Sequence, residues 1–97
     1  MDSKILKVLK SYKLSDAEIR DVLNLCPMLD VVSSEEFAQN CMVLIEQGFP
    51  KSEFEFLFLS NPSIFARSSK DLEEDLKKLK AKHLDVEDAL KKNPFAI

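Results

Sequence analysis

Sliding the chain against itself by 35 residues lays 14–48 on 49–83 without a gap, and internal repetition constrains a fold more than any other sequence feature. Glu18 meets Glu53, Pro27 meets Pro62, Ser33 and Ser34 meet Ser68 and Ser69, and Leu44 meets Leu79. Apolar residues match at Leu14/Phe49, Ile19/Phe54, Val22/Leu57, Leu23/Phe58, Leu29/Ile64, Val31/Ala66, Phe37/Leu72 and Cys41/Leu76. Residues 1–13 continue the pattern backwards, so that Leu6, Cys41 and Leu76 share one column and Leu9, Leu44 and Leu79 another. Near the other end "NPFAI" (93–97) repeats "NPSIF" (61–65) after a loss of about three residues. One domain, 1–97, therefore reads as a half repeat (1–13), copies 14–48 and 49–83, and a half repeat (84–97).

Each copy reads as two helices divided by a proline. Ser15 with Glu18 forms a capping box, and Asp85 with Asp88 a weaker one. Gly48 suits a left-handed helix end, and Pro50 suits the first turn of the next helix. Ser33 and Ser68 start longer helices in which Phe37, Cys41, Leu44 and Leu72, Leu76, Leu79 recur at helical spacing. Pro27, Pro62 and Pro94 each end a helix and mark the repeat. The expected helices span 4–12, 16–25, 34–47, 51–60, 69–82 and 86–92. The expected fold class is all-α, a short solenoid of helical hairpins, and a single glycine in 97 residues fits that class better than a turn-rich β fold.

The segment "KSEFEFLFLSNP" (51–62) has no polar face. Phe56 stands where the neighbouring copies have Asp21 and Asp88, and Leu59 where they have Asn24 and Lys91. Met42 and Ile45 likewise replace Lys7, Lys10 and Lys77, Lys80. Two readings follow. Stacking covers the central pair of helices from both sides, as in helical arrays, or Phe56, Leu59 and Phe65 form an exposed patch for a partner or a second copy.

The units "VLNLCPMLDVVSSEEF", "FLFLSNPSIFARSSKDL" and "LKKNPFAI" resemble the mitochondrial transcription termination factor (mTERF) family. The resemblance implies a left-handed solenoid of triple-helical units with a one-turn helix after each of Pro27, Pro62 and Pro94. It also implies binding of duplex DNA or RNA along a basic concave surface. The residues available for phosphate are Lys77, Lys80, Lys91 and Lys92. The helix of Lys77 and Lys80 opens with Asp71, Glu73, Glu74 and Asp75, an order that the helix dipole and i,i+4 pairing already explain. Lys4, Lys7 and Lys10 read as the wet face of the first helix.

Seventeen acids against 14 bases give a net charge of −3, which argues against a bare nucleic-acid binder. No apolar run reaches the roughly 18 residues of a membrane helix, and no signal or transit peptide is recognised, so an intracellular, cytoplasmic location is expected. Cys26 and Cys41 read as buried thiols. His83, in the column of Lys13 and Gly48, is a helix-end cation, and no nucleophile–base pair, metal cluster or phosphate loop accompanies it. The expectation is a non-enzymatic module without cofactors, binding another protein or itself; nucleic-acid binding is the alternative, and a structural stretch of a longer array the third.

Overall fold

The computed structural model describes residues 1–82 and 84–97; His83 and the helix-end role expected for it lie outside the described residues. Among the described residues six α-helices follow in order: α1 (Ser3–Ser11), α2 (Asp16–Leu25), α3 (Ser34–Glu46), α4 (Phe54–Ser60), α5 (Ser69–Ala81) and α6 (Val86–Lys92). Short 3-10 turns occupy Pro27–Asp30, Lys51–Glu53 and Pro62–Phe65. Among the described residues there is no strand.

Local chemistry sets these bounds. Ser15 accepts from the Glu18 amide while the Glu18 carboxylate accepts from the Ser15 amide, completing the capping box of α2. Ser33, Ser68 and Asp85 cap α3, α5 and α6 by accepting from the amides of Glu36, Asp71 and Asp88. The equivalent of Ser15 in the next copy is Pro50, which has no capping side chain. There the expected helix 51–60 opens as a 3-10 turn, Lys51–Glu53, and becomes α-helical only at Phe54. Cys26, Asn61 and Asn93, each preceding a proline, adopt nearly the same extended backbone: φ/ψ of −139/85, −148/71 and −147/95°. Steric exclusion from the helical region before proline dictates this shape and ends α2, α4 and α6 at equivalent points. Gly48 has φ 107° at the end of α3, and Lys13 takes the same left-handed role after α1 at φ 63°.

The helices pack in rows. The long helices pack α1 on α3 and α3 on α5, α2 packs on α4, and the two proline turns Pro27–Asp30 and Pro62–Phe65 pack on each other. The molecule extends 38 × 23 × 20 Å. Polar links fasten α3 to α5. Buried Asn40 donates to the Arg67 carbonyl at 2.9 Å, and Glu36 accepts from the Ser69 amide at 2.8 Å, across the seam rather than within its own helix. The Arg67 guanidinium in turn pairs with Asp75, tying the turn before α5 to α5 itself. In the other row Asn61, also buried, donates to the Pro94 carbonyl at 2.8 Å.

Aromatic rings fill the space between the rows. Phe65 stands 4.4 Å from Phe58, 5.4 Å from Phe54 and 5.6 Å from Phe37, ring centre to ring centre. Phe49, Phe54, Phe58 and Phe65 are all fully buried. Phe65 is thus core, not part of an exposed patch. After Pro62 the 3-10 turn aims both Ile64 and Phe65 inward, whereas the equivalent of Phe65 in the first copy, Asp30, is exposed. Phe54, Leu57 and Phe58 form the inner face of α4, and Phe56 packs half-buried at the core's margin.

Candidate functional site

The seam between α1 and α3 is less complete than the seam between α3 and α5. In the 35-residue register Ser3, the first residue of α1, corresponds to Ala38 of α3. Ser34, Glu35 and Phe37 are left beside an open cleft of about 300 Å³ that also touches Lys4, Ile5 and Val8. A second cleft, about 340 Å³, continues along the same seam and shares Val8, Phe37 and Ala38 with the first. Its walls add Tyr12 from α1, Cys41, Met42 and Ile45 from α3, and Lys51 and Phe54 beyond. Together they form one apolar groove. The Tyr12 hydroxyl closes one end by donating to the Lys51 carbonyl at 2.9 Å.

Met42 and Ile45 are 49 and 40% exposed on the groove's outer lip. Stacking therefore does not cover them, which corrects the expectation of burial for this pair. The reason is the direction of the stack. Neighbouring long helices cover the flanks of α3, where Phe37, Val43 and Leu44 lie buried, but leave its outer edge open. Burial pushes the Cys41 thiol up to about 12, against the opposing pull of its own backbone hydrogen bond and of Lys51. Burial also raises the Tyr12 hydroxyl. Both groups stay neutral at physiological pH, so the groove presents no charge from its floor. Cys26 is buried as expected, while Cys41 is only half-buried.

The other candidate residues are dispersed. Leu59 is 38% exposed on α4 with Phe56 half-buried beside it, and Phe65 is removed to the core. Lys77 pairs with Glu73 at 2.7 Å, Lys91 with Glu87 at 2.9 Å and Glu53 at 3.2 Å, and Lys92 with Asp88 at 3.0 Å. Hydrogen bonding to Glu73 and Glu87 holds the Lys77 and Lys91 ammonium groups above their ordinary range. Lys80 shares a cleft with Glu46 and Asp85. Three of the four candidate phosphate ligands are thus engaged by carboxylates, and Lys91 is tied across to the turn that precedes α4. Pro27 is exposed, Pro62 buried and Pro94 between the two, each at a turn.

Among the described residues no three His, Cys, Asp or Glu side chains gather as a metal site. No described helix is long and apolar enough to cross a membrane. Comparison with protein-family models, with curated proteins and with solved structures finds no match. The groove itself was only half visible in the sequence. The exchange of lysines for Met42 and Ile45 signals it, but the cleft depends on how α1 packs on α3 beside the small side chain of Ala38, which spacing along the chain does not show.

Proposed function

We propose that this chain is a non-enzymatic helical-repeat module, a short solenoid built from copies 14–48 and 49–83, that binds a protein through the α1–α3 groove. The observation that carries this reading is the groove itself, with Met42 and Ile45 exposed on its lip where both sister helices carry lysines. Exposed apolar side chains beside a preformed cleft mark an interaction surface more often than scattered single ones do. Repetition supports the architecture: the bounds 27–30 and 34–46 recur 35 residues later as 62–65 and 69–81, and 16–25 recurs as the 3-10 turn 51–53 followed by the helix 54–60. The nucleic-acid alternative, drawn from the resemblance to the termination factors, gains less support, because Lys77, Lys91 and Lys92 already face carboxylates and phosphate would have to displace them.

The test is a selection of peptides from a random displayed library against the folded protein, run in parallel against Met42→Lys with Ile45→Lys. That variant copies the residues of α1 and α5 at the same positions, so it is expected to fold. Peptides retained by the wild type and lost by the variant are the expected result. If no peptide is retained by the wild type, while a short DNA duplex binds with steep salt dependence, the module binds nucleic acid instead.

A further inference from the structure

The same helical positions recur on α1, α3 and α5: Lys7 and Lys10, then Met42 and Ile45, then Lys77 and Lys80. Because these helices pack side by side in that order, the three pairs lie across one face, separated by roughly the 8–10 Å between packed helices. An apolar strip is therefore flanked on both sides by cations. Lys4 borders the groove at the start of α3 and Lys51 at its end. Six lysines surround the strip against Glu35, Glu46, Glu73, Glu74 and Asp85, in a chain whose net charge is −3.

Resting on the reading above, the geometry points to one class of occupant: an acidic amphipathic helix of a partner protein. Its apolar stripe enters the groove over Phe37, Cys41 and Phe54, against Met42 and Ile45, and its carboxylates meet Lys7 and Lys10 on one side and Lys80 on the other, where Lys77 is already paired with Glu73. From Ser34 to Ile45 the groove runs about 17 Å along α3 at 1.5 Å per residue, which accommodates about three turns of a docked helix. The lysine pairs favour an occupant with acids on both edges of its apolar stripe and oppose a basic one.

Two other occupants fit less well. A bilayer surface takes up many protruding side chains, whereas only Met42 and Ile45 stand out here and Phe37 and Phe54 are buried as the groove's floor. A nucleic-acid duplex would bring phosphates to the lysines but leave the apolar strip between them without a partner.

The experiment uses three designed peptides that share one apolar stripe at helical spacing, flanked by glutamates, glutamines or lysines. Binding is followed by fluorescence anisotropy and by the rate at which Cys41 is alkylated. The glutamate peptide is expected to bind about tenfold tighter than the glutamine peptide at low salt, with the advantage shrinking at about 0.5 M salt. The lysine peptide should not bind. Occupancy should slow Cys41 alkylation, and Met42→Lys with Ile45→Lys should weaken binding about tenfold or more. Equal binding of all three peptides overturns the charge selection and leaves the protein-binding reading intact. No binding by any of them overturns both. Phosphatidylserine vesicles or a DNA duplex that displace the glutamate peptide, and are themselves unaffected by the double substitution, would assign the lysines to those ligands and overturn the inference.

Discussion

Cys41 is the residue on which the groove's chemistry can be read most directly. Its thiol is half-buried and pushed up to about 12, chiefly by desolvation. The thiolate is the reactive species, so alkylation by iodoacetamide at neutral pH should run far slower than for a small-molecule thiol and accelerate only in strong base. A neutral-pH rate matching that of free cysteine would contradict the packing of α3 against α1. The same shift links folding to pH. The neutral thiol is favoured in the folded state, so its contribution is whole below the unfolded value near 9.0 and is lost as pH rises from there toward about 12. Phe65 teaches a different lesson at this scale. Its aromatic character and its place after Pro62 were plain in the sequence, but which way it pointed was not. A 3-10 turn has no long periodicity from which a face can be inferred, and the equivalent residues Asp30 and Ile97 differ in both chemistry and exposure.

At the scale of the element, α4 separates two residues that the sequence left paired. Phe56 packs against the core margin, while Leu59 is 38% exposed. Phe56→Asp is expected to lower stability by about 2–3 kcal/mol, the cost of placing a carboxylate at a partly buried apolar site. Leu59→Asn should stay within about 0.5 kcal/mol, as exposed substitutions do. Thermal melts of the two single variants check both, and equal losses would mean that Leu59 is covered. Helix positions were otherwise highly legible. Serine caps, prolines and the left-handed position at Gly48 are local signals, and they located α2 and α6 to the residue, with α1, α3 and α5 ending one residue earlier than their spacing indicates. The 3-10 opening before α4 was not legible, because it arises from a cap that is missing: Pro50 stands where Ser15 caps the first copy. Glu36 shows the same limit. The pattern Ser33-x-x-Glu36 reads as a local box, yet its carboxylate crosses to the Ser69 amide of α5. Spacing along a chain cannot show a partner supplied by the next helix.

Over the whole molecule, the 35-residue match made the two-helix unit visible, whereas the rows into which the units pack depend on side chains that the match does not conserve. Asn40 is one of these. It is Asp75 in the copy 49–83 and Ile5 in the half repeat 1–13, and in α3 it lies fully buried, its amide nitrogen on the Arg67 carbonyl and its Oδ1 without a hydrogen-bond partner among the described residues. Such an oxygen costs stability, on the order of 1–3 kcal/mol, so packing strength does not account for it. What the asparagine supplies is a fixed axial position. Leucines at Leu72, Leu76 and Leu79 present similar knobs one turn apart, and apolar packing alone would let α5 slip along α3 by about 5.4 Å with little loss. A slipped helix would strand the Asn40 amide as well as the Ser69 amide held by Glu36, so both links oppose the slip. Asn40→Leu should therefore melt at or above the wild-type temperature, while its NMR spectrum shows added resonance sets from slipped packings along α5. A single sharp set would mean that leucine shape together with the Glu36–Ser69 link keeps the helices from sliding.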